Sequence, residues 1–301
     1  MDQIGDKSSG IDYAAMEQAL ADAEPLRLKA LAATLNAVVG LCLTIVVMVQ
    51  AASSSMVAWS LAVIPPMILL PVSMALWRSM AMSVMAPVAA AKWGQTDFVA
   101  GIAAVEWKDL LGLAGANRHG NAYAQWKSAG VYRDTHYRAR EIRLTVKRER
   151  SMHFLTIEVR LEKSVGGIIE IASKAWGLGH LDNLFRALDG ETQRKQLDPG
   201  FDAALDVFAP HHVDVTKVLT PELREALLTI YSQLQPRPFM ARLDHGWLYM
   251  QLRIDGPSLS EASLWRPTRH YIDSAEQLWW ELTVPHRMID TIKGDHDGRL
   301  R

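Results

Sequence analysis

Hydrophobic positions are densest in a stretch of the chain that carries no charge. Between Lys29 and Arg78 there is no Lys, Arg, Asp, Glu or His. Two apolar runs fill this stretch, residues 31–52 and 56–76, and only three serines separate them. A helix rises about 1.5 Å per residue, so either run is long enough to cross the ~30 Å hydrocarbon core of a bilayer. The pattern predicts a transmembrane hairpin over residues 31–77.

The two runs differ in how strongly they indicate a span. Mostly polar residues precede the first run, which argues against a signal peptide and leaves a buried core helix as the alternative. The second run contains Pro65, Pro66 and Pro71. Membrane helices tolerate proline where neighbouring groups compensate for the lost donors, and a re-entrant or interfacial segment is the alternative.

The segment before the hairpin, residues 1–30, has an amphipathic pattern. Ile11, Ala15 and Ala19 recur at fourfold spacing beside Met16 and Leu20, which predicts a short helix. We interpret this helix as packed on its own domain, with a partner-binding or membrane-surface helix as the alternative. Pro25 is then expected to open a second helix that runs into the first span.

Positive charges flank the hairpin on one side only. Arg27 and Lys29 precede the first run, Arg78 follows the second, and the connection between the runs is uncharged. The positive-inside rule therefore predicts that both termini and the large C-terminal part lie in the cytoplasm.

Residues 78–115 are predicted to be a helical connector that is broken near Pro87. Within it, residues 98–113 place apolar side chains on a helix-like stripe. A loop region containing Gly115, Gly120 and Gly130 is expected to follow.

The hydrophobic period changes in residues 116–301, which are predicted to form a cytoplasmic α+β domain with an antiparallel sheet. Residues 141–148 and 154–163 alternate apolar and polar positions as two half-buried strands do, and "GGIIEIAS" predicts a third strand. Residues 239–254 indicate a hairpin with a turn at Asp244 to Gly246. A helix is expected after a Thr220 cap and before Pro236, and a last helix over roughly Ser274–Leu282.

Composition narrows the function classes. The 301 residues are 49% hydrophobic and 22% charged with a net charge of −1, which excludes a globally basic nucleic-acid binder and an acidic disordered chain. The single cysteine, Cys42, excludes an intrachain disulfide and a cysteine zinc cluster. The chain has no phosphate-loop, GxSxG, HExxH or GxGxxG motif, and no cofactor or metal is predicted.

His211, His212 and Asp214 are the candidate catalytic residues. If the strand-like run around them is extended, the adjacent histidines point to opposite faces, while Asp214 shares the side of His212 and orients its imidazole for acid/base work. The alternative, which we favour, is a pair of exposed structural histidines.

Residues 118–150 hold nine basic and three acidic side chains. Arg138, Arg140, Arg143, Lys147 and Arg148 are candidates to face anionic lipid headgroups. A solvated strand face is the favoured alternative because the basic residues alternate with apolar ones, and nucleic acid is disfavoured. Trp265, Trp279 and Trp280 are candidates for a protein-partner surface, provided that they form an exposed patch.

Two segments of the chain resemble a known family. The run "LDPGFDAALDVFAPHHVDVTKVLTPELREALLTI", followed by "GWLYMQLRIDGPSLSEASLWRP", resembles the bacterial domain of unknown function 3137 family. Val215 and Thr216 stand where that pattern has alanine and arginine. The positions that carry the resemblance are Asp198, Pro199, Phe201, Val207, Leu219, Thr220, Pro221 and Gly246 to Tyr249.

The resemblance implies two spans near the N-terminus and an α+β domain at the cytoplasmic side of a bacterial inner membrane. It implies no activity. The sequence as a whole favours a membrane-tethered cytoplasmic module that binds a protein partner or lipid, or acts as a scaffold. The alternatives are a membrane-bound hydrolase or nucleotide-handling enzyme that uses the His211, His212 and Asp214 loop, and, less strongly, a channel.

Overall fold

The computed structural model describes residues 12–52, 63–91, 96–105, 121–145, 151–162, 166–173, 192–234, 239–260 and 262–294. Five helices are present in these ranges: α1 (Tyr13–Ala52), α2 (Ile64–Ala90), α3 (Pro199–Ala204), α4 (Pro221–Leu234) and α5 (Ile272–Ile292). The strands are β1 (Thr96–Ala104), β2 (Asn121–Tyr132), β3 (Thr135–Thr145), β4 (Met152–Arg160), β5 (Ile169–Ser173), β6 (Thr192–Lys195), β7 (Leu205–Pro210), β8 (Phe239–Asp244) and β9 (Trp247–Ile254).

The two N-terminal helices pack against each other and are both long and apolar enough to cross a membrane. Their apolar windows are almost entirely unburied, and side chains such as Val47, Met48 and Met67 are 66–71% exposed. The core helix of a soluble protein buries such side chains, so this exposure separates α1 and α2 from that class.

Proline does not interrupt either helix, contrary to the predicted breaks at Pro25 and Pro87. Both prolines lie inside continuous helices, α1 and α2. A proline removes one helical hydrogen bond, and here packing on both sides of it compensates. Met16, Leu20 and Ala23 of α1 are buried, as are Met85 and Ala89 of α2, so tertiary contacts stabilise both helices next to their prolines. The N-terminal part of α1 thus packs on its own domain, as we favoured.

The structure also corrects the helix predicted over residues 98–113, because residues 96–104 form β1. This strand pairs antiparallel with β2, and the register shifts between Ala100 and Ala103. Gly101 lies at the shift with φ 139°, a conformation that a helix does not contain. Gly130, expected in a loop, pairs with Tyr137 inside β2. Residues 106–120 lie outside the described part of the chain.

The described strands form one antiparallel sheet in the order β1-β2-β3-β4-β9-β8-β5-β7-β6, which confirms the predicted α+β class. β3 and β4 pair as the alternation predicted, and β5 is the predicted third strand. The β8–β9 hairpin turns at His245 and Gly246, which both have positive φ, as in the tight turns that match strand twist.

One face of the sheet, which we call the inner face, carries the hydrophobic core. Ile157, Ile171, Leu243 and Met250 on this face are fully buried, together with Leu227 of α4 and Leu278 of α5. The predicted α4 is confirmed, and Thr220 Oγ1 accepts a hydrogen bond from Leu223 N at 3.4 Å. α5 extends ten residues beyond the predicted end at Leu282 because packing against α2, α4 and the sheet buries nearly every residue up to Thr291.

A loop between β9 and α5 joins this domain to α1. We call residues 258–260 and 262–271 the clamp loop. Arg27 of α1 donates through Nη1 to the Leu264 carbonyl. Thr268 donates its backbone N–H to Glu24 Oε2 at 2.8 Å and its hydroxyl to the Leu20 carbonyl at 2.7 Å. The loop therefore runs along about two turns of α1 in the direction opposite to that of the helix.

The same loop holds α2. Arg78 Nη2 donates to the Ser260 carbonyl at 3.4 Å, and Trp77 Nε1 donates to the Tyr271 hydroxyl at 3.4 Å. Because residues that precede the apolar run of α1 and residues that follow the apolar run of α2 meet one loop, the two apolar segments run antiparallel, and the domain lies on one side of both.

Glu24 gives the α1 contact a specific pH dependence. The hydrogen bonds from Arg27, and with them the Thr268 backbone N–H, lower the pKa of Glu24 from 4.5 to about 2. A lowered carboxyl pKa stabilises the folded state above the unfolded pKa, and the contribution disappears as the pH falls through the folded pKa. We expect Glu24→Gln to lose ~1–2 kcal/mol of stability at neutral pH, discounted for partial exposure of the carboxylate.

Thermal unfolding of the two proteins in one detergent, from neutral to acidic pH, measures this difference. It should be full above about pH 4.5 and shrink as the pH approaches about 2. Glu17→Gln on the exposed side of α1 is the matched control and should behave like the wild type. A Glu24→Gln deficit that does not change with pH would contradict this assignment.

Candidate functional site

The candidate catalytic loop is a solvent-exposed turn, not an extended strand. His211 and His212 form a turn directly after β7, and both are exposed. His212 Nε2 lies 3.3 Å from the Gly166 carbonyl oxygen. Val215–Lys217 forms a 3-10 turn. The strand-like pattern around the histidines was therefore misleading beyond Pro210.

Asp214 caps that 3-10 turn instead of orienting an imidazole. Its Oδ1 accepts from the Thr216 hydroxyl at 2.7 Å and from the Thr216 backbone N–H at 3.2 Å, and Lys217 Nζ lies 3.5 Å from Oδ2. The Thr216 hydroxyl is the main cause that lowers the pKa of Asp214. A carboxylate held as an acceptor by a cap does not assist a histidine, so the predicted acid/base arrangement is not assembled.

The face of the sheet that points away from the helices, which we call the outer face, carries a row of mostly charged and aromatic side chains beside a small buried apolar cluster of Ile142, Leu144 and Phe154. The strand pairings place one residue from each strand in a single transverse row. Acidic, basic and aromatic side chains alternate along it. The row is Asp97, Ala129, Arg138, Glu158, Tyr249, Arg242, Glu170, Phe208 and Arg194.

Cross-strand ion pairs organise the middle of this row. Arg140 Nη2 lies 2.7 Å from Glu158 Oε1, and Arg138 Nη1 lies 3.5 Å from Glu158 Oε2. Arg242 Nη2 lies 2.5 Å from Glu170 Oε1. Glu170 is almost completely buried, and this burial raises its pKa although Arg242 opposes the shift. The carboxylates therefore hold the arginines in defined positions on the outer face.

A cavity of about 650 Å³ opens on the β1 to β8 part of the outer face. Its lining includes four basic and three acidic side chains, so neither sign of charge dominates. These are Lys127, Arg138, Arg140 and Arg242, and Asp97, Glu158 and Asp244. Tyr249, Val99 and Ala129 add apolar surface.

An aromatic pair stands at one end of this cavity. The ring centroids of Trp247 and Tyr249 are 6.4 Å apart. The guanidinium carbons of Arg138 and Arg160 each lie 5.6 Å from the Trp247 ring centroid. Such cation–π contacts restrict both long arginine side chains, which lowers the entropy that a partner would have to remove. No local sequence pattern indicates this group, because its members come from three strands.

The candidate lipid-facing residues do not form one surface. Arg138 and Arg140 lie on the outer face in ion pairs with Glu158. Arg143 is an odd number of positions from Arg138 and Arg140 along β3, so it points to the opposite side of the sheet. There its Nη2 lies 3.2 Å from Ser151 Oγ. Lys147 and Arg148 lie outside the described residues.

The predicted tryptophan surface is also wrong. Trp265 is 50% exposed, but Trp279 and Trp280 are each only 2% exposed. α5 is enclosed between the sheet, α2 and α4, so even two neighbouring side chains that point in different directions are both buried. Trp279 and Trp280 belong to the core and do not extend a patch from Trp265.

A buried polar cluster, which the sequence did not reveal, ties the clamp loop to the sheet. Glu141 Oε2 accepts from the Ser258 backbone N–H at 3.1 Å, and its Oε1 lies 3.1 Å from His153 Nδ1. Ser258 Oγ donates to Glu281 Oε2 and accepts from Trp126 Nε1 at 3.0 Å. Two carboxylates accept hydrogen bonds from one serine here. The outer-face cavity does not reach them, so we interpret the cluster as structural: it holds the clamp loop against the sheet and α5.

No three His, Cys, Asp or Glu side chains within the described ranges converge in a way that would hold a metal ion. Comparisons with known protein families, curated proteins and solved structures find no match for this chain. The resemblance to the domain of unknown function 3137 family therefore stays a prediction, and the site has to be interpreted from its own geometry.

Burial predicts opposite outcomes for two tryptophan substitutions. Trp279→Ala should cost about 3–5 kcal/mol because it empties a filled core position. Trp265→Ala should cost clearly less, about 1 kcal/mol, because half of its side chain is already exposed. Thermal unfolding of both variants in the same detergent measures the difference, and equal losses would contradict the burial assigned to α5.

Proposed function

We propose that this protein is a membrane-anchored binding module. In this proposal α1 and α2 form a hairpin that holds the α+β domain at the cytoplasmic surface of a bacterial inner membrane. The outer face of the sheet then binds a protein partner of mixed charge. One observation carries the proposal. The domain has a charged sheet face with a cavity, and the same domain is hydrogen-bonded directly to two helices whose apolar side chains are exposed.

The apolar surfaces of α1 and α2 support the membrane part. Their exposed side chains include Leu43, Val47 and Met48 on α1, and Met67 and Ile68 on α2, each 58–71% exposed. Soluble monomers rarely expose continuous apolar surface on this scale. A bilayer removes it from water without any further protein.

The clamp loop supports the orientation. Arg27 and Arg78 flank the apolar runs, and both donate hydrogen bonds to the clamp loop. The basic flanks and the domain therefore lie on one side of the apolar segments. Positive flanks remain in the cytoplasm, so the domain is cytoplasmic in this proposal.

The charge pattern of the outer face favours a protein partner over a polyanion. A nucleic acid or other polyanion needs an excess of basic side chains. Glu158, Glu170 and Asp206 instead compensate the neighbouring arginines, with Arg194 lying 2.6 Å from Asp206. A protein surface with alternating charges complements such a row, and preorganised ion pairs favour specificity.

Photo-crosslinking in native membranes tests this surface. A photoreactive amino acid at Val99, which lines the cavity and is 53% exposed, should give a discrete protein adduct in the full-length chain. Lys127→Glu reverses one exposed charge in the cavity and should lower the adduct yield by about three- to tenfold, the effect of a ~1 kcal/mol change in affinity.

Lys217→Glu is the matched control, since Lys217 has a side chain that is 81% exposed and lies outside the cavity. It should leave the adduct unchanged. Loss of the adduct in both variants, or persistence in both, would show that the outer face does not determine binding.

A further inference from the structure

The clamp loop contacts both helices close to the domain-side ends of their apolar segments. It meets α1 at Arg27, four residues before Leu31, and α2 at Arg78, two residues after Leu76. At about 1.5 Å per residue these contacts lie ~6 Å and ~3 Å from the apolar segments. Each headgroup region of a bilayer is roughly 5–7 Å thick, so this part of the loop reaches it.

The apolar side chains of the clamp loop are buried with one exception. Leu259, Ala262 and Leu264 are each no more than 1% exposed, whereas Trp265 is 50% exposed. Trp265 directly follows Leu264, whose carbonyl receives the Arg27 hydrogen bond. A half-exposed tryptophan at this depth has the properties of the aromatic belt, in which an indole lies between hydrocarbon and headgroups.

Two exposed cations lie near the depth of this tryptophan. Arg266 follows it and is exposed, and Lys29 on α1 is exposed two residues after Arg27. Leu28, between Arg27 and Lys29, is 51% exposed. Apolar side chains and cations are thus exposed at a similar depth near the apolar segments, which is the chemistry that anionic phospholipid headgroups complement.

We propose that the clamp loop is a lipid-binding element that inserts Trp265 among the headgroups while Arg266 and Lys29 contact the phosphates of anionic phospholipids. This inference rests on the membrane placement in the proposed function. It goes beyond that placement because the domain itself, and not only the hairpin, binds lipid. Its consequence is a fixed height and tilt of the outer face above the membrane.

Fluorescence quenching of the reconstituted full-length chain tests the inference. In a Cys42→Ser background, an environment-sensitive fluorophore is attached at Trp265→Cys, and separately at His245→Cys in the β8–β9 turn. The vesicles contain phosphatidylcholine and phosphatidylglycerol with a headgroup-proximal nitroxide lipid. The label at position 265 should be quenched severalfold more by the nitroxide lipid than the label at position 245, and less by aqueous iodide.

A third label at Met67→Cys in α2 separates two failures, and it is measured in the same vesicles with a nitroxide lipid labelled deep in its acyl chain, because position 67 lies at the middle of the apolar run. If this label escapes the acyl-chain nitroxide, the membrane placement itself is wrong. If it is quenched while the label at position 265 responds only to iodide, the hairpin stands and the lipid-binding loop is overturned. Vesicles of phosphatidylcholine alone, or Arg266→Glu in mixed vesicles, should reduce the quenching at position 265, and equal quenching would overturn the role of anionic headgroups.

Discussion

The hydrogen bonds that join the clamp loop to α1 and α2 decide how the rest of this molecule is arranged. Arg27, Glu24 and Thr268 connect the loop to α1, and Arg78 connects it to α2. Ser258 at the start of the loop is bonded to Glu141 and Glu281 of the sheet and α5. Hydrogen bonds therefore join the helices, the loop and the sheet into one unit, and the domain is not connected to the helices by a flexible tether alone.

This constraint leaves one face of the sheet for interaction. α2, α4 and α5 cover the inner face, where the side chains form the core. The outer face keeps its charged row, and its ion pairs and the Trp247 contacts hold the arginines in place. A rigid, preorganised surface binds at a lower entropic cost than a mobile one, and a rigid joint presents it at a constant orientation.

Local patterns predicted the parts of the fold that depend on local chemistry. The alternation in β3 and β4, the turn of the β8–β9 hairpin and the Thr220 cap of α4 are properties of neighbouring residues, and the structure confirms them. The failures depend on distant residues. β1 resembles a helix by its apolar spacing, but pairing with β2 determines its conformation.

The candidate site shows the same division. Asp214 and His212 are close in sequence, but Asp214 accepts hydrogen bonds from Thr216 at the start of a 3-10 turn and not from His212. The apolar alternation of this segment did not predict that turn. Trp279 and Trp280 were expected at a surface because sequence does not show what encloses α5. The transverse row of the outer face takes its members from nine strands, so only the register of the sheet reveals it.

The most direct test of the rigid joint is a distance distribution between the hairpin and the sheet. Spin labels at Met67→Cys and His245→Cys in the Cys42→Ser full-length protein, measured in nanodiscs by pulsed dipolar spectroscopy, report it. A reference pair within the domain, at Lys217→Cys and His245→Cys, gives the width that the labels alone contribute. The account predicts one narrow distribution for the hairpin pair, comparable in width to the reference. A distribution much broader than the reference, or several separate distances, would show that the clamp loop does not fix the domain to α1 and α2.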